Sequence, residues 1–320
     1  MSTHGRIAVV ATILVVFAAH LTGCQPGAVN MPTTGPVATP LTVSTPVAPL
    51  AASPIAAPAT PSAPSTLVAA TPSATKSAPA PTSPAASPTG PESVRTDFSF
   101  AVLGDNRDGD ETYASLLDLV SRDTVDFLVN TGDLVPGGTV DQFKGFQKLM
   151  AGFSKPFYPV PGNHDVANDG TLSNYLQFSG APAGHYSFDY GQVHFSMVNS
   201  ALGDLNAAEL GWLEADLAGT GLPVRIIVLH HPPFDPVGGS HILGKGAGEL
   251  MALSAKYKVR YVLAGHIHEY AREVRDGVIY LVAGGGGAPL YPPPEQGGFY
   301  HYVRITVRGQ ETSDEVVRLP

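Results

Sequence analysis

Residues 25–95 limit where this chain can fold. They consist almost entirely of Pro, Ala, Thr and Ser, contain about half of the chain's 30 prolines and include no aromatic residue. Proline fixes φ and lacks a backbone donor, so neither a helix nor a sheet propagates through such a segment. Too little bulky apolar surface is present to offset the entropy of ordering. We therefore predict a disordered, semi-extended tether.

Residues 1–24 have the order of an export signal. A basic start precedes an apolar run from Ile7 to Ala19, and Leu-Thr-Gly-Cys follows. The run is short for a membrane span, and this order is typical of a signal peptide. The last four residues resemble a bacterial lipobox, which implies an exported lipoprotein anchored to the membrane surface through Cys24. An ordinary secretory peptide is the alternative. Cys24 is the only cysteine, which excludes disulfides within the chain.

Residues 96–320 remain for a folded domain and suffice for one sizeable core. The formal net charge of the chain is −9, and no cluster of Lys or Arg stands out. We therefore expect no nucleic-acid-binding face. The sequence does not indicate the oligomeric state.

Hydrophobic periodicity predicts alternating strands and helices in this domain. The order is β-α-β-α-β up to residue 162, which favours a layered α/β fold. The predicted strands are 98–104, 125–132, 156–162, 223–231, 259–266, 277–285 and 299–307, with a hairpin at 185–200 and one more strand at 312–319. The predicted helices are 111–122, 140–152, 206–219 and 248–257. This number of strands is enough for two packed sheets flanked by helices.

Five of the predicted strands end in Asp, Asn or His. The ends read Gly104-Asp105-Asn106-Arg107, Asn130-Thr131-Gly132-Asp133, Gly162-Asn163-His164-Asp165, His230-His231-Pro232 and Gly265-His266-Ile267-His268. In α/β sheets, ligands bind outside the carboxyl ends of the strands, so we expect these groups to converge on one rim. Carboxylate and amide oxygens with imidazole nitrogens suit first-row metals such as Zn, Fe and Mn. Two ions about 3.5–4 Å apart would clamp an in-line displacement at phosphorus.

The order of these motifs resembles that of the calcineurin-like metallophosphoesterases and is most similar to their purple-acid-phosphatase-like branch. The resemblance covers residues 97–320 and includes GDNR, GDL, GNHD, LHHPP and GHIH in the family's order. It implies a four-layer αββα sandwich of two mixed β-sheets flanked by helices. It also implies two divalent or trivalent ions (Fe, Zn or Mn) and hydrolysis of a phosphomonoester or phosphodiester by a metal-bound hydroxide.

The resemblance also implies six metal ligands. They are the bridging Asp133, then Asp105 and His268 on the first ion, and Asn163, His230 and His266 on the second. His230 is preferred to His231 because the family's ligand lies two residues before the proline.

Four further residues are candidates for the chemistry and for binding the substrate. His164 would pair with a carboxylate and face the leaving oxygen, and Asp165 would position the catalytic groups, as the resemblance implies. His231 would either line the substrate rim or be structural. His241 follows in a Gly-rich loop and could line the substrate entry.

Arg107 departs from the family's pattern. Most members carry a histidine ligand at this position, and purple acid phosphatases compensate with a tyrosine at the position that is Pro136 here. Arginine cannot coordinate a cation because it is always protonated. The first ion site is therefore weak, or Arg107 binds the substrate phosphate as a fixed positive charge. A third option is a solvent-directed side chain paired with Asp108 or Asp110.

Other residues are interpreted as structural. His185, His194 and His301 lie in strand-like stretches, and Trp212 lies on a helical apolar stripe expected in the core. No helix signal follows Gly284–Gly287, so a nucleotide-binding loop is not expected there.

Two functions remain open. The first is a metal-dependent phosphoesterase. The alternative is a non-catalytic surface module that keeps the fold with a degraded metal site and binds a phosphorylated or polymeric ligand at the same rim.

Overall fold

A computed structural model of the protein describes residues 95–320. The predicted signal peptide, tether and lipidated Cys24 lie outside the described residues and stay predictions. The strands are β1 (Asp97–Leu103), β2 (Phe127–Asn130), β3 (Phe157–Pro159), β4 (Tyr186–Tyr190), β5 (Val193–Met197), β6 (Val224–Val228), β7 (Tyr261–Ala264), β8 (Tyr270–Arg275), β9 (Val278–Ala283), β10 (His301–Arg308) and β11 (Glu311–Arg318). The helices are α1 (Asp110–Arg122), α2 (Val140–Met150), α3 (Ser173–Phe178), α4 (Ala207–Gly219) and α5 (Ala247–Lys256). Within this part of the chain, no helix is both long and apolar enough to cross a membrane.

The strands form two mixed sheets. The first has the order β11-β10-β1-β2-β3. Strands β1, β2 and β3 are parallel to one another, β10 pairs antiparallel with β1, and β11 pairs antiparallel with β10. The second has the order β4-β5-β6-β7-β9-β8, with four parallel strands between two antiparallel edge strands. The parallel strands of a sheet have their carboxyl ends along one edge, and this is where α/β proteins bind ligands.

The sheets and helices stack in four layers. The two sheets enclose a core in which the Phe100 and Phe195 rings meet edge to face, with 5.2 Å between their centroids. Helices α1, α2 and α3 cover the outer face of the first sheet with residues such as Leu116. Helices α4 and α5 cover the second sheet with residues such as Leu213 and Leu250. The predicted αββα sandwich of two mixed sheets flanked by helices is confirmed.

Strand β1 shows how the sequence produces these layers. Successive side chains of a strand point to opposite faces. Phe98, Phe100 and Val102 therefore enter the core between the sheets, whereas Ala101 and Leu103 face the helices. A strand buried on both faces reads as a continuous apolar run, as residues 100–103 do.

The structure contains two elements that the sequence pattern does not predict. Strand β8 is an edge strand in which only Ala271 is fully buried, so it carries little hydrophobic signal. Helix α3 has six residues, fewer than two turns, and is too short to show a helical period. The strands predicted at 125–132 and 156–162 are also shorter than expected, because the chain leaves the sheet after Asn130 and Pro159.

His194, far from the strand ends, should make the stability of the domain depend on pH. Its Nδ1 lies 2.7 Å from Asp189 and its Nε2 lies 2.9 Å from Asp216. Burial opposes protonation of this ring, but the hydrogen bonds and charges of the two carboxylates outweigh burial and raise the pKa of His194. A raised folded-state pKa adds stability that is complete below the unfolded-state value of about 6.5. This stability disappears as the pH rises through the folded-state pKa.

We therefore expect His194→Asn to lower the free energy of unfolding by more at about pH 5.5 than at about pH 9. The difference should be about 1 kcal/mol, because one of the two carboxylates is largely exposed. Urea titrations at both pH values measure it. His301→Asn is the contrasting variant, since burial lowers the pKa of His301 to about 4 and its loss should cost less stability at about pH 5.5 than at about pH 9, the opposite of His194→Asn. Equal losses for His194→Asn at the two pH values would contradict the ion pairing.

Candidate metal centre

The turns after five strands bring the predicted ligands to one edge of the sandwich. Three of them follow strands of the first sheet: Asp105 after β1, Asp133 after β2 and Asn163 after β3. The other three follow strands of the second sheet: His230 after β6, and His266 and His268 after β7. Both sheets therefore contribute to one site, at the carboxyl ends of their parallel strands.

Asp105, Asp133 and His268 form one candidate cation site. Each offers one ligand atom, and the three atoms lie within 4.8 Å of one another. All three side chains are buried, and Oδ1 of Asp105 lies 3.6 Å from Nε2 of His268. Carboxylate oxygens and an imidazole nitrogen at this spacing suit a first-row transition metal. The residues assigned to the first ion are thus neighbours, and their role as ligands stays a prediction.

The second group centres on Nε2 of His230. This nitrogen lies 3.1 Å from Oδ1 of Asn163, 3.2 Å from Nδ1 of His266 and 3.3 Å from Oδ1 of Asp133. Asp133 therefore touches the second group while it also belongs to the first. This is the position that a bridging carboxylate requires.

His231 lies beside the second group and is buried. Its ligand atom is within 4.8 Å of those of His230 and His266, and its ring centroid is 4.0 Å from that of His266. Only 5% of the residue is exposed, and Nδ1 has no hydrogen-bond partner among the described atoms. Burial lowers the pKa of His231 to about 4, so the ring is neutral at pH 7. Its two predicted roles, at the substrate rim or in the structure, both stay predictions.

Three of the six candidate ligands have a left-handed backbone. The angle φ is 59° at Asp105, 58° at Asp133 and 68° at His266. This region costs roughly 1–2 kcal/mol for most non-glycine residues, and such strain clusters at functional sites. Gly132 permits the close packing between two of these turns, because a Cβ there would lie 2.8 Å from Nδ1 of His230.

The electrostatics of the site fit bound cations. Burial and the neighbouring Asp133 carboxylate raise the pKa of Asp105 and of Asp165. Burial lowers the pKa of His266 to about 2 and that of His268 to about 4, so both rings offer nitrogen lone pairs at pH 7. Metal ions would supply these crowded buried carboxylates with positive charge in addition to that of the Arg107 guanidinium. The donor set fits Fe, Zn and Mn alike.

Polar groups behind the ligands orient the histidine rings. Nδ1 of His230 donates to the carbonyl oxygen of Thr131 at 2.8 Å, and Nδ1 of His268 donates to that of Pro289 at 2.7 Å. Each bond leaves Nε2 unprotonated in the neutral ring and available to a metal. The hydroxyl of Ser200 accepts the backbone N–H of His230 at 3.0 Å. Sequence reasoning missed these partners, since two of them act through carbonyl oxygens, which every residue has.

His164 has a different partner from the one implied by the resemblance. Its Nδ1 lies 2.6 Å from the carbonyl oxygen of Pro136, whereas a carboxylate was expected. The turn after β2 brings this carbonyl close, and the backbone N–H of His164 donates to Oδ1 of Asp133 at 2.9 Å. With Nδ1 donating, Nε2 is the atom left for a substrate.

The Asp165 carboxylate acts on the backbone of the site. Its Oδ1 accepts the N–H groups of Leu134 at 2.9 Å and Val135 at 3.2 Å, and its Oδ2 accepts that of Gly162 at 2.9 Å. The residue is fully buried. Asp165 thus joins the turn that carries Asp133 to the turn that begins at Gly162, and its predicted positioning role stays a prediction.

The Arg107 guanidinium faces the Asp133 carboxylate. Nε donates to Oδ2 of Asp133 at 3.2 Å, and Nη1 donates to Oδ2 of Asp108 at 2.7 Å. Only 16% of the side chain is exposed. The pairing with Asp108, one of the options left open by the sequence, is present, but the side chain is not directed to solvent.

Tyr291 and His241 form the exposed rim of the site. The Tyr291 ring stacks on that of His268, with 4.2 Å between centroids. The His241 ring lies 5.2 Å from the Tyr291 ring and 5.7 Å from the His266 ring. His241 is thus near the ligands, and its predicted role at the substrate entry stays a prediction. Tyr291 was missed, and its only signal is that it follows the glycine run after β9.

The remaining candidates lie outside the site. His185 stacks on Trp212 with 4.2 Å between ring centroids, and buried His301 donates through Nδ1 to the carbonyl oxygen of Phe299. Trp212 packs against the core cluster of the second sheet as a partly buried side chain, so it lies at the edge of the core and not at its centre.

Known proteins resemble the chain over much of its described part. Residues 98–270 match the protein family described as Calcineurin-like phosphoesterase. A 3',5'-cyclic-nucleotide phosphodiesterase of Nostoc is 33% identical over 171 residues, which are 50% of this chain and 62% of the relative. Purple acid phosphatase 23 of Arabidopsis thaliana is 30% identical over 37% of this chain and 29% of its own length. The chain therefore spans less than two thirds of the length of these relatives.

Among solved structures, GAP50, described as the anchor in the inner membrane complex of Plasmodium, has a similar fold. The TM-score is 0.57, and the match covers 70% of this chain and 85% of GAP50. The sequences are 15% identical, so this likeness concerns the fold alone.

Proposed function

The chain belongs to the calcineurin-like phosphoesterase family, and on that premise we propose that it is a metal-dependent phosphoesterase. The observation that carries the proposal is the convergence of two carboxylates, one amide and three imidazoles, supplied by both sheets, in one largely buried group. A donor set of this composition serves metal ions at a phosphoryl-transfer centre.

The ligand residues would hold two cations, with Asp133 shared between them. When bound, such cations activate water at neutral pH and stabilise negative charge on the phosphoryl oxygens. The protein contributes the geometry. Carbonyl oxygens fix the rings of His230 and His268, and Asp165 fixes the turns on either side of the bridge.

His164 and Arg107 would act on the ester itself. The hydrogen bond from Nδ1 to Pro136 holds the half-exposed His164 ring, and its protonated Nε2 would donate to the leaving oxygen. Arg107 keeps its charge at any working pH and would bind a phosphoryl oxygen with the N–H groups that Asp133 and Asp108 leave free.

A phosphodiester, such as a 3',5'-cyclic nucleotide, is the substrate class that we favour. The Nostoc relative named for that activity matches more of this chain, at higher identity, than Arabidopsis purple acid phosphatase 23 does. Membership of the purple-acid-phosphatase-like branch has less support for a second reason. The tyrosine that this branch uses as a ligand would stand at Pro136.

A non-catalytic module is the second candidate, favoured by one observation. The Arg107 guanidinium already lies 3.2 Å from the carboxylate that would bridge the cations, where the family usually has a metal ligand. A site degraded in this way would bind a phosphorylated ligand at the same rim without hydrolysing it.

Metal content and turnover together test the proposed function. The protein is stripped of metal, reloaded with Mn, Zn, Fe or Mg, and assayed with p-nitrophenyl phosphate, bis(p-nitrophenyl) phosphate and a 3',5'-cyclic nucleotide. We expect two equivalents of metal and metal-dependent turnover of a diester. Metal bound in full without turnover of any ester, or no metal bound at all, would favour the module.

Arg107 gives a prediction that separates its two possible roles. We expect Arg107→Ala to lower kcat/KM about 100-fold, since it removes a fixed charge from the phosphoryl group, while the more tightly held ion stays bound. We expect Arg107→His to raise the affinity for the first ion, because an imidazole replaces a group that cannot coordinate. Metal titrations and steady-state kinetics measure both effects, with Arg122→Ala on the exposed end of α1 as the control. Unchanged kinetics in Arg107→Ala would show that Arg107 has a structural role and does not contact the substrate phosphate.

We also propose that the protein is exported and anchored to the membrane surface through lipid on Cys24. The support is the signal-like order of residues 1–24. Fractionation of cells that express the wild type or Cys24→Ser tests it. Membrane association that persists in Cys24→Ser would reject the lipid anchor.

A further inference from the structure

Tyr291 is held with its hydroxyl beside the first candidate cation site. Its backbone N–H donates to the carbonyl oxygen of His268 at 3.3 Å, and its ring stacks on the His268 ring at 4.2 Å between centroids. The phenol oxygen lies 3.5 Å from Nε2 of His268, the nitrogen that faces the carboxylates. Two contacts with one histidine therefore set both the position and the direction of this half-exposed side chain.

The charged groups around the hydroxyl belong to the site. They are the Arg107 guanidinium and the carboxylates of Asp105 and Asp133. An unperturbed phenol is a hydrogen-bond donor at neutral pH. Two N–H groups of Arg107 are taken by Asp133 and Asp108, which leaves the other N–H groups of its guanidinium for further contacts.

We propose that Tyr291 is a further catalytic residue, whose hydroxyl donates to a phosphoryl oxygen of the substrate beside the Arg107 guanidinium. The inference rests on the proposed phosphoesterase function. Tyr291 and Arg107 would then be two side-chain donors beside the first cation site, where the chain lacks the family's histidine ligand. Hydrogen bonds to a charged oxyanion are about twice as strong as neutral ones, so one phenol can contribute measurably to binding and to turnover.

The test is Tyr291→Phe, which keeps the ring on His268 and removes only the hydroxyl. Binding of inorganic phosphate to the Mn-loaded full-length protein is measured by calorimetry, metal content by elemental analysis, and diester hydrolysis by steady-state kinetics. We expect phosphate affinity to fall about tenfold, kcat/KM to fall about 10- to 100-fold, and metal content to stay unchanged. Tyr257→Phe, whose hydroxyl lies 3.5 Å from Glu214 on the helical side of the second sheet, is the matched control.

Several outcomes would overturn the inference. Loss of metal in Tyr291→Phe would make the phenol a metal ligand. Tyr291→Phe could also keep wild-type phosphate affinity and kinetics, with only Tyr291→Leu impaired. The hydroxyl would then have no role, and the ring would only support His268. Failure of the proposed function is a separate result, because it would appear as a wild type without turnover, and the phosphate titrations would still compare Tyr291→Phe with the wild type.

Discussion

Asp133→Asn is expected to abolish metal binding and hydrolysis together. The Asp133 carboxylate touches both candidate cation sites, and its replacement by a neutral amide removes a charge from between two cations. Charge stabilisation by a metal centre is worth several kcal/mol, so we expect kcat/KM to fall by about 1,000-fold or more. Elemental analysis of the purified variant and hydrolysis of a diester measure the two effects.

The substitution is mild for the fold. Asparagine tolerates the left-handed backbone found at Asp133, and its amide oxygen can still accept the backbone N–H of His164. Asp105→Asn is the comparison, because Asp105 belongs to the first candidate site alone. It should lose one equivalent of metal where Asp133→Asn loses both. A folded Asp133→Asn protein that hydrolyses the ester at the wild-type rate would end the two-metal proposal.

His164→Asn is expected to slow the hydrolysis of esters with poor leaving groups by about 100- to 10,000-fold. Such esters need a proton on the departing oxygen, and the imidazole would supply it. Good leaving groups such as p-nitrophenolate depart as anions without a proton. Hydrolysis of their esters should therefore be almost unaffected. Steady-state kinetics on an alkyl and a p-nitrophenyl ester of the same phosphate class measure the difference.

The contacts of the His164 backbone make this variant interpretable. The N–H that donates to Asp133 belongs to the main chain and stays in His164→Asn, so metal content should not change. An asparagine amide can also replace Nδ1 as the donor to Pro136. If the two esters slow down equally, the ring supports the metal site and does not serve the leaving group.

The sequence predicts the fold and the ligand positions for a physical reason. Strands buried on both faces read as apolar runs, and each of the relevant runs stops at a glycine or a polar residue, where the chain must turn. Asp105, Asp133 and His266 stand at such stops, and their left-handed backbone explains why the strands end there. Periodicity and turn chemistry therefore both identify the same edge.

Other parts of the site leave no such signal. His164 contacts the backbone carbonyl of Pro136, and His268 contacts that of Pro289. Because every residue has a backbone carbonyl, the sequence does not indicate either contact. Tyr291 reaches the site from a loop, at a distance in sequence that only the packing of β9 against β7 determines. Strand β8 was missed because an edge strand with one fully buried residue has almost no hydrophobic alternation.

The supply of ligands by both sheets has a consequence for biosynthesis. The backbone N–H of His266 donates to the Asp105 carboxylate across 161 positions of sequence, and His268 lies further still along the chain. Contacts this distant form late, after a large loss of chain entropy, because the intervening segments must first take their places. A nascent chain that ends before His266 cannot complete either candidate cation site, since the second group needs His266 and the first needs His268. Metal uptake would therefore come after synthesis of most of the domain, and bound ions would then oppose separation of the two sheets at that edge.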